Sequence, residues 1–108
     1  MLIMIKELTT DPKTSLGKNS NAVVVFVTTW CDDCKRSLEF ENTLAEKFKG
    51  EITFYRMNAE KYEGIADNYD VANYPTFVFF KKGILCENPL VEPLSEIEIK
   101  KWIEKNLA

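Results

Sequence analysis

Two cysteines separated by two residues are the part of this sequence best suited to chemistry. The hexapeptide that contains them reads Trp30-Cys31-Asp32-Asp33-Cys34-Lys35. It joins an apolar run at residues 22–27 to a segment of helical character at residues 35–49, so the pair fits one turn at the start of a helix. We expect the first thiol to be exposed and the second to lie behind it, with backbone N–H groups favouring the thiolate.

This spacing is compatible with three kinds of site. One is reversible disulfide exchange, in which Cys31 attacks a disulfide in a partner and Cys34 then attacks Cys31. The others are a zinc or iron–sulfur site and an inert pair. The position between a strand and a helix favours exchange. Because the sequence contains no histidine, a metal site would need both cysteines and then Cys86 or carboxylates.

Composition limits the class of protein. The 108 residues predict one domain, and a hydrophobic content of 45% is enough for a core without disulfides. The net charge of -3 and the lack of a basic run give no support to nucleic-acid binding. The cysteine count of three is odd, and the N-terminal apolar run is too short for a signal peptide. No stretch is long enough to span a bilayer. These features predict a cytoplasmic protein that does not bind a membrane.

Alternation of apolar patterns and turn residues predicts the element order β-α-β-α-β-α-β-β-α. Strands are predicted at residues 2–5, 22–27, 52–57, 77–80 and 84–87. The predicted helices are a short first helix capped by Asp11, a second at 35–49 and a third at 60–69 that Gly64 interrupts. A loop is predicted at 88–93. The last helix begins with a capping box at Ser95 and Glu98. Its predicted apolar face comprises Ile97, Ile99, Trp102, Ile103 and Leu107. The unbroken β-branched run at 22–27 indicates a central strand buried on both faces.

This order and two motifs resemble the thioredoxin family over nearly the whole chain. The cysteine hexapeptide is similar to the family's Trp-Cys-Gly-Pro-Cys-Lys, and Tyr74-Pro75-Thr76 looks like its cis-proline segment. The resemblance implies an α/β thioredoxin fold, with a mixed sheet flanked by helices on both faces and one domain at residues 1–108. It implies that Cys31 is the nucleophile and Cys34 the resolving thiol. It also implies substrate contacts from Trp30, Tyr74, Pro75 and Thr76.

Four departures from the family pattern accompany this resemblance. Asp32-Asp33 replaces Gly-Pro, and we expect these acids, together with Lys35, to tune the charge state of the Cys31 thiol towards that of a reductant rather than an oxidant. Val25 stands where the family has a buried aspartate, so no carboxylate is expected there and the role of Arg56 is undefined. Glu39 replaces a helix proline, and residues 88–93 lack a glycine near the partner groove.

The implied activity is reduction of protein disulfides through a Cys31–Cys34 cycle without a bound cofactor. The expected partners are disulfide-containing clients and a thioredoxin reductase or other thiol donor, and a monomer is sufficient. Two alternatives remain: a narrow-client reductant linked to glutathione, and a binding or metal-holding module without redox turnover. Cys86 is predicted to be a small buried hydrophobe rather than a regulatory thiol.

Overall fold

The computed structural model describes residues 5–108, which form five strands and four helices in the predicted order. The strands are β1 (Ile5–Glu7), β2 (Asn21–Val27), β3 (Ile52–Asn58), β4 (Thr76–Lys81) and β5 (Ile84–Val91), and the helices are α1 (Pro12–Ser15), α2 (Asp32–Lys47), α3 (Glu63–Asn68) and α4 (Glu96–Leu107). The strand predicted at residues 2–5 lies outside the described residues except for its last position. No helix within residues 5–108 has the length and apolar character needed to cross a bilayer.

One mixed sheet, in the order β1-β3-β2-β4-β5, forms the centre of the protein. Strands β1, β3 and β2 are parallel, whereas β4 is antiparallel to β2 and β5 is antiparallel to β4. Strand β2 is central and buried on both faces, as its β-branched run predicts. Val23 and Val25 pack with residues of α2 and α4, while Val24 and Phe26 pack towards α3. This burial fixes the end of β2, from which the chain enters the cysteine motif.

Strand β5 is longer than the sequence predicts. It continues to Val91, so residues 88–91 belong to a strand and the predicted loop at 88–93 is wrong for most of its length. The register shifts between Phe77 and Phe79 of β4, opposite the stretch of β5 that contains Pro89. Because β5 is an edge strand, a proline there removes no hydrogen bond that a further strand would need.

The helices differ from the sequence predictions at three places. Helix α2 spans Asp32–Lys47, so it begins three residues before and ends two residues before the predicted range 35–49. Helix α3 begins at Glu63 rather than at residue 60, and Gly64 lies inside it instead of interrupting it. In α4 the capping box is confirmed, since the Glu98 N–H donates to Ser95 Oγ at 3.3 Å. Ile99 is fully buried but Ile97 is 61% exposed, so the predicted inward position of Ile97 is wrong. Two residues correspond to about 200° around a helix, which places these side chains on opposite faces.

Candidate functional site

Cys31 and Cys34 lie at the start of α2, where the chain leaves the central strand. Cys31 is the N-cap of the helix, and its Sγ accepts a hydrogen bond from the Cys34 N–H at 3.1 Å. The Cys31 thiol donates to the Tyr74 carbonyl oxygen at 3.5 Å. The two sulfurs are not joined in a disulfide in this structure, and Cys31 is only 7% exposed. The expected exposure of the first thiol is therefore wrong, because the helix turn and the Tyr74 segment lie against it.

Cys34 lies deeper than Cys31, at 1% exposure. Burial, and next the hydrogen bond with Cys31, raise the pKa of the Cys34 thiol to about 12, against the opposing effects of the Thr28 backbone and the Arg56 charge. Cys34 is therefore a neutral thiol at physiological pH. The two cysteines are chemically unequal, since a helix N–H supports negative charge on Cys31 Sγ while burial disfavours charge on Cys34.

The two aspartates between the cysteines point towards bases one helical turn later. Lys35 Nζ lies 3.9 Å from Asp32 Oδ1, and Arg36 forms a salt bridge with Asp33. All four side chains are substantially exposed, so these pairs add little to stability. Each base offsets part of the field that its acid exerts at Cys31. The charge tuning assigned to Asp32, Asp33 and Lys35 stays a prediction, and the sequence analysis did not include Arg36.

The segment around Pro75 lies beside Cys31. The Tyr74–Pro75 peptide bond is cis, and the Pro75 carbonyl oxygen accepts from the Glu92 N–H at 2.9 Å. Trp30 is 67% exposed and meets the Tyr74 ring edge-on, with 6.1 Å between ring centroids. The structure thus brings Trp30, Tyr74 and Pro75 together around Cys31. Thr76 is buried, and its hydroxyl donates to the Asn73 carbonyl oxygen at 2.6 Å instead of facing solvent.

A buried carboxylate that the sequence analysis missed lies beneath the motif. Val25 supplies no acid, but Glu41 of α2 is 0% exposed and is held by Arg56 of β3, whose Nε and Nη2 donate to its two oxygens at 2.7 and 2.8 Å. Arg56 Nη2 also donates to the Cys34 carbonyl oxygen at 2.6 Å. Ser37 Oγ donates to Glu41 Oε2 at 2.6 Å. Arg56 therefore has a defined role: it joins a buried carboxylate to the backbone of Cys34.

A sequence signal for this carboxylate exists. Glu41 precedes Leu44 by three residues and Ala45 by four, so it lies on the apolar face of α2. A charged residue at a core-facing position requires a partner of opposite charge. Arg56 is the basic residue of β3, the strand that is paired with β2, and its side chain reaches Glu41 of α2. The pairing itself depends on the approach of α2 to β3, which no local pattern specifies.

Cys86 is the third cysteine of the chain, and it was also the thiol that the alternative of a metal site would require. Cys86 lies on β5 opposite Phe79 and is half-buried against the core cluster of α2 and α4, where it packs as a small hydrophobic residue. Within residues 5–108, no group of three or more Cys, Asp or Glu side chains is arranged to hold a metal ion.

Glu92 lies in the segment at residues 88–93, which lacks the glycine that the family has near the partner groove. Its φ is 50°, in the left-handed region that favours glycine. We expect Glu92→Gly to increase the free energy of unfolding by about 0.5–1 kcal/mol, because relief of the left-handed strain exceeds the entropy added to the unfolded chain. Urea denaturation of the reduced protein measures this change. Glu87→Gly, the same replacement within β5 at a residue without positive φ, should instead destabilise the protein. Destabilisation by both replacements to the same extent would contradict the prediction.

Comparisons with known proteins show the family to which the chain is similar. Residues 5–105 match the family described as Thioredoxin. The chloroplastic Thioredoxin M-type of Spinacia oleracea is 36% identical over 86 residues, which cover 80% of this chain and 47% of that protein. Thioredoxin Y1, chloroplastic, of Arabidopsis thaliana is 33% identical over 87 residues, which cover 79% and 51%. The chain thus spans about half the length of these curated relatives.

A solved structure shows the same fold. It comes from work on the thiol resolving mechanism in yeast mitochondrial 1-Cys peroxiredoxin via glutathione/thioredoxin systems. Its TM-score to this chain is 0.83 at 23% sequence identity, with 94% of each chain covered. The predicted α/β fold, a mixed sheet flanked by helices on both faces, is confirmed.

Proposed function

The chain belongs to the thioredoxin family, and we propose that it reduces protein disulfides through a Cys31–Cys34 dithiol–disulfide cycle. Family membership and the Cys-x-x-Cys pair support thiol–disulfide oxidoreductase activity at the level of the family. The observation that carries the narrower proposal is the unequal pair at the start of α2. One sulfur accepts a helix N–H at 3.1 Å beside an exposed tryptophan, and the other is a buried neutral thiol.

The proposed cycle has two exchange steps. In the first, the Cys31 thiolate attacks one sulfur of a client disulfide; the Cys31–client S–S bond forms, and the other client sulfur leaves as a thiolate that takes a proton. In the second, Cys34 loses its proton to solvent and attacks Cys31 Sγ. This step forms the Cys31–Cys34 disulfide and releases the second client sulfur as a thiol. Two electrons pass from the dithiol to the client, and an external thiol donor returns them.

The partners and location remain part of the proposal. Disulfide-containing proteins are the clients, and a thioredoxin reductase or a low-molecular-weight dithiol is the electron donor. Its action as a monomer in the cytoplasm is part of the same proposal, and the odd number of cysteines, three, supports a chain without a structural disulfide framework.

Catalysed reduction of a disulfide protein by dithiothreitol tests the proposal. We expect the wild-type protein to accelerate precipitation of reduced insulin, and Cys31→Ser to give the uncatalysed rate, because it removes the attacking sulfur. Cys86→Ser is the matched control, since it also removes one thiol but lies on β5, and it should retain the wild-type rate. Cys34→Ser should accumulate a mixed disulfide with the client, visible on non-reducing gels. A wild-type rate equal to that of Cys31→Ser would refute the proposal.

A further inference from the structure

We propose that the surface around Cys31 selects clients that carry Lys or Arg beside the disulfide, together with an apolar side chain. This inference rests on the proposed function and concerns which disulfides the protein reduces. The surface, which we call the docking surface, comprises Trp30, Tyr74, Glu92, Pro93 and Leu94, with an acidic rim of Glu60, Glu63 and Asp67.

The docking surface is continuous around the cysteine. On one side, Trp30 contacts Tyr74, whose carbonyl oxygen accepts from the Cys31 thiol. On the other side, the Glu92 N–H binds the Pro75 carbonyl oxygen and leads into Pro93 and Leu94. Leu94 is 85% exposed, so a large apolar side chain lies in solvent close to the exchange site. Large exposed apolar side chains next to a reacting atom are typical of a protein-binding surface.

A small groove gives this surface room for a client side chain. It has a volume of about 70 Å³ and lies between the first turns of α2 and the segment before α4. Its lining residues are Asp33, Arg36, Ser37, Phe40, Pro93 and Leu94. Half-buried Phe40, together with Pro93 and Leu94, gives the groove an apolar lining, and the salt-bridged Asp33 and Arg36 complete it. The groove fits one apolar side chain of a client.

The acidic rim lies on the opposite side of Tyr74. Glu60 Oε1 accepts from the Thr29 N–H at 2.7 Å and from its hydroxyl at 2.8 Å, one residue before Trp30. Glu63 and Asp67 are four residues apart, so they lie on the same face of α3. Tyr74 packs against the core cluster that contains Ala66 of α3, so the α3 carboxylates lie on an element that adjoins the docking surface. Burial, and then charges that include those of Asp67, Glu63 and Glu60, raise the pKa of Tyr74, in agreement with this packing.

Negative charge prevails at this surface. The bases of the first turn of α2, Lys35 and Arg36, are occupied by Asp32 and Asp33. Glu63, Asp67 and Glu92 have no ion-pair partner among residues 5–108. The nearby Lys61 lies over the Tyr62 ring, 5.6 Å from its centroid. A cationic client segment is therefore attracted to the site, and an anionic one is repelled.

Two peptide disulfides that differ only in flanking charge test the inference. One carries Lys on both sides of its cysteine and the other carries Glu, and each has a leucine two residues away. We expect the reduced protein to react with the Lys peptide at least about tenfold faster at roughly 0.01 M salt, where charges act over about 30 Å. The ratio should fall to within about twofold at roughly 1 M salt, because ions then screen the rim.

Matched variants assign the effect to the rim. Glu63→Gln/Asp67→Asn removes two negative charges beside the site, and Glu46→Gln/Glu51→Gln removes two from the region where α2 ends, away from Cys31. The first variant should lose most of the low-salt preference for the Lys peptide, and the second should keep it.

Two results would overturn the inference while leaving the proposed function intact: equal wild-type rates for the two peptides, or an equal loss of preference in the two variants. Reduction of neither peptide above the rate of Cys31→Ser would refute the proposed function and the inference with it.

Discussion

Replacement of Arg56 with alanine should lower the free energy of unfolding by about 3–5 kcal/mol, because it leaves a buried carboxylate without its counter-charge. Glu41 is 0% exposed, and Arg56 donates to both of its oxygens. The replacement also removes the donor to the Cys34 carbonyl oxygen. Ser37 alone would remain to hydrogen-bond the carboxylate. Urea denaturation of the reduced protein at neutral pH measures the loss.

Removal of the other partner should cost less. In Glu41→Ala the unpaired group is Arg56, whose side chain is 20% exposed and keeps its hydrogen bond to the Cys34 carbonyl oxygen. An unpaired guanidinium that reaches water costs less free energy than an unpaired carboxylate that is fully buried. A comparison of the free energies of unfolding of Arg56→Ala and Glu41→Ala therefore tests the burial of Glu41 as well as its pairing with Arg56.

The double variant Glu41→Leu/Arg56→Leu is the control for these single replacements. Exchange of a whole buried ion pair for apolar residues is often neutral in stability, so the double variant should be more stable than Arg56→Ala. It separates stability from chemistry, because the Arg56 charge lowers the pKa of Cys34 and its loss should slow resolution in a protein that still folds. A loss below about 1 kcal/mol in Arg56→Ala would show that the pair is solvated, as surface pairs are.

Local patterns predicted the fold well because each element carries its own signal. The β-branched run of β2, the Asp11 cap with Pro12, and the Ser95–Glu98 box each act within a few residues, and the structure has an element at each of these places. The position of Cys31 at a helix start followed from the same kind of signal. The length of β5 was underestimated because a local pattern treats Pro89 as the end of a strand. An edge strand has hydrogen bonds to one neighbour only, so it can contain a proline.

Contacts between residues that are distant in sequence could not be predicted in the same way, because they depend on how the elements pack together. The pairing of Glu41 with Arg56 joins residues 15 positions apart on different elements. The coverage of Cys31 depends on Tyr74, which lies 43 positions further along the chain. The lack of an acid at Val25 left the role of Arg56 undefined, and only the packing of α2 and the Pro75 segment onto the sheet decides which groups meet. The chemistry of the two thiols differs for this reason.

The step in which Cys34 attacks Cys31 should accelerate about tenfold per pH unit from pH 7 to pH 10, roughly a thousandfold in all, because only the thiolate is the nucleophile. The sign follows from burial, the largest of the effects that raise the pKa of Cys34 from 9.0 to about 12. Below its pKa the ionised fraction rises with pH, and an unperturbed thiol of pKa about 8.5 would reach a plateau before pH 10. In a mixed disulfide Cys31 no longer hydrogen-bonds as a thiol, but burial, the largest cause, persists.

Single-turnover reaction with a chromogenic aromatic disulfide measures this step. Attack by Cys31 releases the first coloured thiolate, and attack by Cys34 on the mixed disulfide releases the second, with Cys86→Ser as the background so that no third thiol reacts. Cys34→Ser should release only the first. In the double variant Glu41→Leu/Arg56→Leu, the second release should be slower at every pH below the plateau, because Cys34 lacks the nearby positive charge. A plateau at pH 9 or below in the second release would contradict a Cys34 thiol that burial keeps neutral.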